Sequence, residues 1–237
     1  MVINLIATPR NVSTAIMYSF AQHSLVKVMD EPFYAYYLEL TNLDHPGREE
    51  VLKELPRELN SVFDLIDSVQ KKYSIVFIKN MAHHLAQVSN NELSNFRNIF
   101  LTRDPGQLIS SFSKVIKHPT MQDIGVKAQW NRFEAMKNDG LDPVIIDSGI
   151  LLNHPKEFLM MLCEKLGISF ESSMLQWSAG PIPEDGSWAK YWYGSVHIST
   201  KFTKPQKKEV HIPNHCKELY DEALVYYEKL AEHSLTI

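Results

Sequence analysis

The chain has 237 residues, of which 44% are hydrophobic and 22% are charged, an ordinary composition for a globular protein. Its formal net charge is −4, which excludes a general attraction to nucleic acid or to an anionic membrane surface. Any phosphate site must therefore be local, built from a few cations and backbone amides.

Membrane and export signals are not evident in the sequence. It contains no run of about 20 apolar residues that could span a bilayer, and the apolar stretch near the N-terminus has no basic segment before it. The two cysteines, Cys163 and Cys216, fit no metal or redox spacing. We therefore expect a cytoplasmic protein with two reduced thiols and no membrane or nucleic-acid partner.

The chain begins with a strand, a tight loop and a helix. An apolar run at 2–7 is ended by Thr8-Pro9-Arg10-Asn11, and helical spacing starts at Ser13. Phosphate cradles are built on this supersecondary unit.

Further short apolar strands alternate with helical segments. The predicted strands are 25–29, 74–79, 98–102 and 143–147. The predicted helical regions are 33–73 (interrupted at 44–47), a helix from about Gln107, 155–166 ending at Gly167, and 216–233. This alternation predicts a three-layer α/β/α fold with a mostly parallel central sheet, similar to P-loop NTPases. We expect a single domain over 1–237, with a functional loop or lid at 171–205.

The first loop, residues 7–14, has the length of the Walker motif G-x-x-x-x-G-K-[ST]. Ala7 and Val12 stand in place of its glycines, and Ser13 stands in place of its lysine. An NTPase or kinase without that lysine loses its contact with the β- and γ-phosphates. As a Walker motif, the segment therefore fails.

The same eight residues resemble the phosphate loop of sulfotransferases, which has the form T-x-P-[KR]-S-G-[ST]-T. The matching residues are Pro9, Arg10, Ser13 and Thr14. Asn11 and Val12 replace the usual serine and glycine, and the branched Val12 tolerates positive φ poorly. The resemblance implies that residues 9–14 hold the 5′-phosphosulfate of the donor 3′-phosphoadenosine 5′-phosphosulfate (PAPS).

A second loop follows the strand at 98–102. Sulfotransferases carry R-[DE]-P at the end of a strand and a serine eight residues after the arginine, and this pair binds the 3′-phosphate of PAPS. Here Arg103, Asp104 and Pro105 are followed by Ser111 at that spacing. A strand-end guanidinium can bind a phosphate with two parallel hydrogen bonds. The alternative is that Arg103 pairs with Asp104 while Ser111 lies on a helix surface.

The resemblance extends over about residues 3–170 in family order, including the strand at 144–147 and the later Pro155 and Gly167. The segments 79–84 and 188–192 are most similar to the sulfotransferase-like domain of some bacterial and plant proteins. Some of those plant proteins are named for an attached aminotransferase-like part.

The implied reaction moves a sulfuryl group from PAPS to a hydroxyl or amine of a small-molecule acceptor and leaves PAP. Arg10 and the loop amides are placed to stabilise the charge that develops on the bridging oxygen. The transferred group carries less charge than a γ-phosphate, so we expect no metal. The acceptor pocket is expected to be formed by residues 33–73 and 171–200; its ligand and the oligomeric state are not indicated.

The sequence offers three candidates for the general base, namely Glu31, His83 and His84. Many sulfotransferases end a central strand with Lys-x-His, but here Lys79-Asn80-Met81 places a methionine at the histidine position. Lys79 is expected to help neutralise the sulfuryl oxygens.

Trp188 and Lys190 lie where family members place a loop that closes over the nucleotide. The aromatic residues there fit a surface for stacking a base, and they fit a small hydrophobic core equally well.

Two other functions remain open. One is an ATP-dependent small-molecule kinase or NTPase, in which Asp147 or Asp30 would hold magnesium at a strand end. The other is a non-catalytic nucleotide-binding member of the family, suggested by Val12 and by the displaced histidine.

Overall fold

Five strands form one sheet in the computed structural model, which describes residues 1–113, 116–204 and 210–237. They are β1 (Val2–Ala7), β2 (Val26–Asp30), β3 (Ile75–Met81), β4 (Arg97–Thr102) and β5 (Val144–Asp147). Their order in the sheet is β2-β3-β1-β4-β5. The pairs β2/β3 and β4/β5 are parallel, so the predicted α/β class with a mostly parallel sheet is confirmed.

Twelve α-helices connect and cover the strands in the described ranges. They are α1 (Ser13–Phe20), α2 (Tyr34–Thr41), α3 (Arg48–Glu54), α4 (Leu59–Gln70), α5 (Pro105–Phe112), α6 (Met121–Ile124), α7 (Val126–Asn138), α8 (Ser148–Asn153), α9 (Pro155–Leu166), α10 (Ala189–Trp192), α11 (Gly194–His197) and α12 (Lys217–Glu232). Short 3₁₀ helices occur at Ala82–Leu85, Ser172–Leu175 and Asn214–Cys216. None of the described helices is both long and apolar enough to cross a membrane.

The described chain is divided into two compact units. The first unit comprises residues 1–5, 13–97 and 171–202. The second unit comprises residues 6–12, 98–170 and 203–237.

The sequence predicted most of these elements within a few residues. The interruption expected at 44–47 separates α2 from α3, and α9 ends at Gly167, whose φ of 74° makes it a left-handed C-cap. Helix α5 begins at Pro105, two residues before the predicted start, because Asp104 caps it.

Helix α7 was not predicted. Its buried positions are Val126, Gln129, Phe133 and Met136, which have helical spacing. One of these four is a glutamine, so the apolar stripe is broken and the periodic signal is weak. The glutamine has a structural use: its Nε2 atom donates to the carbonyl oxygens of Ile6 at 3.2 Å and of Leu101 at 3.0 Å.

Segment 171–202 is packed within the first unit. Four of its aromatic side chains, Trp177, Trp188, Tyr193 and Phe202, are buried and belong to an aromatic core, whereas Tyr191 and Trp192 are exposed. The predicted loop extended to 205, and residues 205–209 lie outside the described residues.

Gly125 packs closely against the first loop in the second unit. Gly125 joins α6 to α7 with a φ of 70°, and a Cβ atom at this position would lie 2.9 Å from Cγ2 of Thr8. Thr8 begins the loop that carries Arg10, so this close approach positions the loop.

We predict that Gly125→Ala destabilises the protein more than Gly140→Ala. Both glycines have positive φ, but nothing lies within 4 Å of a Cβ atom at Gly140. Gly140→Ala therefore costs only the left-handed strain, roughly 1 kcal/mol, whereas Gly125→Ala adds roughly 1 kcal/mol of overpacking. Urea unfolding of both variants measures the difference, and equal losses would contradict the proposed packing of Thr8.

Candidate functional site

Three side chains from the two sequence motifs lie together in the second unit. Nη1 of Arg103 donates to the backbone carbonyl oxygen of Arg10 at 2.6 Å, and Nε of Arg10 donates to Oγ of Ser111 at 3.1 Å. Nη2 of Arg103 also reaches Oε1 of Gln107 at 3.3 Å. We call Arg10, Arg103 and Ser111 the arginine cluster.

Local structure explains why Arg103 is available for this cluster. Asp104 follows it as the N-cap of α5, and its Oδ1 accepts a hydrogen bond from the backbone N–H of Gln107 at 2.9 Å. The Asp104 carboxylate is used as a helix cap, and it forms no ion pair with Arg103 within the described residues. The structure therefore does not show the alternative Arg103–Asp104 pair.

The first loop is held by its asparagine. Nδ2 of Asn11 donates to the carbonyl oxygen of Leu101 at 3.1 Å, and its Oδ1 accepts from the backbone N–H of Val12 at 3.0 Å. Asn11 thereby fastens the loop to the end of β4. Arg10 is the residue of this loop that takes a left-handed φ, at 60°, and Val12 is not among the described residues with positive φ.

The remaining loop residues continue along the chain. Pro9 lies half-buried before Arg10. Ser13, which is buried, and Thr14, which is half-buried, form the start of α1 in the first unit.

The charge of the arginine cluster favours an anion. Burial lowers the pKa of Arg103, and the neighbouring Arg10 cation lowers it further. Each guanidinium carries five N–H donors, of which Arg10 uses one and Arg103 uses two in the bonds above. Ser111 accepts from Arg10 through a lone pair, so its own O–H remains a donor.

A buried ion cluster lies in the first unit at the ends of β2 and β3. Asp30 and Lys79 are register partners across the parallel pair. The ammonium of Lys79 donates to Oδ1 of Asp30 at 3.0 Å, to Oε1 of Glu31 and to the hydroxyl of Tyr193. These three acceptors use all three of its N–H donors. We call Asp30, Glu31, Lys79 and Tyr193 the carboxylate cluster.

Tyr193 completes the carboxylate cluster from segment 171–202. Its hydroxyl lies 2.9 Å and 2.7 Å from the two carboxylate oxygens of Asp30, and it accepts a hydrogen bond from Nε1 of Trp188 at 3.2 Å. The pKa of Tyr193 is raised well above its ordinary value by burial and by the negative charge of Asp30 and Glu31. It therefore acts as a neutral donor to Asp30.

Glu31 has an unusual backbone and an unusual proton affinity. Its φ is 44°, in a region that non-glycine residues rarely adopt and that is enriched at functional sites. Burial raises its pKa to about 7; Lys79 acts in the lowering direction and Asp30 in the raising direction. Oε1 of Glu31 is held by Lys79, whereas Oε2 lies 3.6 Å from Nδ1 of His84, beyond hydrogen-bond distance.

The two predicted histidines are neutral imidazoles. His84 is buried and stacks on Tyr34 at 4.4 Å between ring centroids, and burial followed by the neighbouring His83 lowers its pKa well below the ordinary value. Burial, with a smaller effect of His45, lowers the pKa of His83 to about 4. His83 contacts the ring of Tyr37 at 5.1 Å and that of His84 at 4.5 Å.

A cavity of about 240 Å³ adjoins the carboxylate cluster in the first unit, and Asp30 lines it. Its apolar walls are formed by Val28, Met29, Pro32, Leu55, Leu65 and Trp188. Leu55, Leu65 and Trp188 belong to the regions expected to shape an acceptor pocket, whereas Val28, Met29 and Pro32 lie outside them.

The two predicted residues of the closing loop have different surroundings. Trp188 is 2% exposed and packs edge-on against Tyr34 at 5.2 Å, so it belongs to the aromatic core. Lys190 is exposed and pairs with Glu50 at 2.6 Å.

The two aspartates considered as magnesium ligands are engaged in other contacts. Asp147 caps α8 through Oδ1, and its Oδ2 accepts from the hydroxyl of Tyr227 at 3.1 Å. Asp30 is bound by Lys79 and Tyr193. Within the described ranges, no group of three or more His, Cys, Asp or Glu side chains could hold a metal ion.

The sequence indicates Asp30 only as a possible magnesium ligand, and it does not indicate that Tyr193 lies beside Lys79. The position of Asp30 at the end of a predicted strand, directly before Glu31, could have indicated it. Tyr193 is 114 residues from Lys79, and only the folded chain shows that the two meet.

The mostly parallel sheet with its helices defines an α/β fold, and the paired guanidinium groups of Arg10 and Arg103 are suited to an anion. Comparison with known proteins identifies the family. The chain belongs to the sulfotransferase domain family, whose model matches residues 1–233. The resemblance stated from the sequence is confirmed.

Two curated relatives come from Arabidopsis thaliana, the branched-chain-amino-acid aminotransferase-like proteins 1 and 2. They are 38% and 36% identical to this chain, and each match covers 98% of it. The chain spans 42% of the length of each relative.

Solved sulfotransferase structures share the fold. The sulfotransferase domain from the curacin biosynthetic pathway has a TM-score of 0.58 and 19% identity, covering 97% of both chains. The sulfotransferase domain of the Synechococcus PCC 7002 olefin synthase has a TM-score of 0.60 and 14% identity, covering 100% of this chain and 96% of that one. A mouse sulfotransferase complexed with PAP has a TM-score of 0.53 and 13% identity, covering 99% and 89%.

We predict that Glu31→Gln gains stability relative to the wild type as pH rises from 5 to 8. The folded-state pKa of Glu31 lies above its ordinary 4.5, at about 7. The contribution of the protonated Glu31 carboxyl to the stability of the folded wild type is complete below pH 4.5. It is lost as pH rises through 7, because a buried charge must then form. Glutamine has no such pH dependence.

Urea unfolding at several pH values measures this difference, with Glu58→Gln at an exposed carboxylate as the control. The Glu58 variant should keep a constant offset from the wild type. A constant offset for Glu31→Gln as well would refute the raised pKa.

Proposed function

We propose that this chain is a PAPS-dependent sulfotransferase that transfers a sulfuryl group to a hydroxyl or amine of a small-molecule acceptor and releases PAP. The observation that carries the proposal is the arginine cluster. Two guanidinium groups and a serine hydroxyl, contributed by the two sequence motifs typical of the family, lie in one place. Among the described residues, no carboxylate is bonded to either guanidinium.

Arg103 and Ser111 are proposed to hold the 3′-phosphate. Arg103 has N–H donors beyond those bonded to Arg10 and Gln107, and Ser111 keeps its hydroxyl proton as a donor. A phosphate here would offset the repulsion between the two cations and the cost of burying Arg103. The residues therefore fit the ligand.

The first loop, residues 9–14, is proposed to hold the 5′-phosphosulfate. PAPS supplies the sulfuryl group, and its bridging oxygen gains negative charge as the S–O bond breaks. Arg10 has four N–H donors beyond its bond to Ser111. The next residue, Asn11, holds the loop in place by its hydrogen bond to Leu101. A preorganised cation at this position stabilises developing charge without reorganising during the reaction.

Glu31 is the proposed general base. Lys79 fixes one carboxylate oxygen, Oε2 makes no hydrogen bond in the described structure, and a pKa of about 7 suits proton transfer near neutral pH. His83, with a pKa of about 4, is a weaker base. The N–H donors of Lys79 are all engaged, so we propose that it positions Glu31 rather than the sulfuryl oxygens.

The cavity beside Asp30 is the proposed acceptor pocket. At about 240 Å³, it fits a compact acceptor, since pockets for drug-sized ligands begin at roughly 300 Å³. Trp188 forms part of its wall. We propose transfer without a divalent metal, because a sulfuryl group carries less charge than a γ-phosphate.

Two alternatives are less well supported. Two observations argue against a kinase. The P-loop lysine is missing, and the Asp147 carboxylate, a possible magnesium ligand, caps α8. For a non-catalytic protein, the objection raised by Val12 loses force because Arg10, not Val12, adopts positive φ in the loop.

We predict selective stabilisation by PAP over ADP and 5′-AMP. At a ligand concentration near 100 Kd, PAP should add about 2.7 kcal/mol to the free energy of unfolding. Arg103→Ala should remove most of this gain, because it removes the proposed 3′-phosphate donor. Thermal unfolding with each nucleotide, with and without magnesium, measures the effect.

Arg97→Ala is the control, since Arg97 is an exposed arginine at the other end of β4. It should bind PAP as the wild type does. Equal stabilisation by magnesium-ADP and PAP would instead favour the kinase.

We also predict that Glu31→Gln slows sulfuryl transfer by about 10²- to 10⁴-fold, the usual contribution of a general base. Transfer of ³⁵S from labelled PAPS to a panel of small alcohols, phenols and amines measures this loss. His83→Asn should stay within tenfold of the wild type. If Glu31→Gln keeps its activity while His84→Asn loses it, the assignment of the base is wrong.

A further inference from the structure

We infer that Asp30 and Tyr193 are positioning residues for Glu31: Tyr193 holds Asp30 as a carboxylate, and Asp30 competes with Glu31 for the ammonium of Lys79. This inference rests on the proposed role of Glu31 as the base. It assigns a function to two residues that neither sequence motif contains.

The geometry of Lys79 makes the two carboxylates compete. The ammonium lies between Asp30, its register partner across β2 and β3, and Glu31, the next residue along the chain. All three side chains are buried, with at most 7% of any of them exposed. Solvent therefore screens this interaction little, and a change at one carboxylate is felt at the other.

Hydrogen bonds favour the charged form of Asp30 over that of Glu31. Asp30 receives bonds from Lys79 and from the Tyr193 hydroxyl, and its Oδ2 lies 3.4 Å from the backbone N–H of Gly186. Glu31 receives a firm bond only from Lys79, with the Tyr193 hydroxyl at 3.5 Å. Burial raises the pKa of Asp30 as well as that of Glu31, and these donors act against it at Asp30. The carboxylate with more donors holds its charge more firmly.

The charges then explain which group titrates. Two carboxylates share one ammonium, so the fully ionised cluster carries one excess negative charge in a buried site. Among the described residues, the other titratable groups that face Glu31 are Tyr34 and His84. Neither supplies a positive charge, because burial lowers the pKa of His84. One proton relieves the excess charge, and Glu31, with fewer donors, is the residue that takes it.

Changes at Asp30 and Tyr193 should therefore act in opposite directions. Asp30→Asn leaves Lys79 with Glu31 as its one carboxylate partner in the cluster, so the pKa of Glu31 should fall by about one unit. Tyr193→Phe removes a donor from Asp30, which then draws more on Lys79, so the pKa of Glu31 should rise. A role limited to holding the fold predicts a different result: both variants would admit water and lower this pKa toward its ordinary value.

The experiment is a ¹³C NMR titration of the full chain labelled at glutamate carboxyl carbons, with Glu31→Gln identifying the Glu31 resonance. We expect a midpoint near pH 7 in the wild type, a lower midpoint in Asp30→Asn and a higher one in Tyr193→Phe. Asp67→Asn, at an exposed aspartate of α4, is the matched control and should leave the midpoint unchanged.

A fall in both variants, or no shift in Asp30→Asn, would overturn the inference. Tyr193→Phe keeps the ring and loses one hydroxyl, so it tests the inference even if Asp30→Asn folds poorly. The titration needs neither donor nor acceptor. Its failure is therefore distinct from failure of the proposed function, which would appear as lost selectivity for PAP or as full transfer activity in Glu31→Gln.

Discussion

Two guanidinium groups held close together, those of Arg10 and Arg103, are the constraint on which the proposed site depends. Arg103 is bonded to the backbone of Arg10, and the Arg10 side chain is bonded to Ser111. Two adjacent cations repel each other, and partial burial of Arg103 adds a further cost. Two hydrogen bonds hold the arginines in place despite this cost: Asn11 bonds to Leu101 in β4, and Asp104 caps α5. Such an arrangement is expected where an anion binds.

The carboxylate cluster of the first unit contains charges of both signs, unlike the arginine cluster. There one buried ammonium serves two carboxylates, and a tyrosine from a distant segment completes its three hydrogen bonds. A buried pair is weak evidence for stability, since its desolvation costs as much as its attraction gains. Its value here is that Glu31 can gain and lose a proton near pH 7 at a fixed position.

The sequence predicted the parts of the fold and site that depend on local signals. Strand β1, the loop at 7–14 and the Arg103–Ser111 spacing are contiguous patterns, and the structure places the arginine cluster on them. Helix α7 was missed because Gln129 interrupts its apolar face. Tyr193 was not placed beside Lys79 because their meeting depends on tertiary packing, and no spacing rule connects residues 114 positions apart. The left-handed φ of Arg10, in place of one at Val12, is likewise not indicated by any local sequence pattern.

A crystal structure of the protein with PAP tests the central claim most directly. We expect the 3′-phosphate within hydrogen-bond distance of the Arg103 guanidinium and the Ser111 hydroxyl, and the 5′-phosphate against the loop of Arg10. A nucleotide bound elsewhere, with the bonds from Arg103 to Arg10 and from Arg10 to Ser111 unchanged, would contradict it.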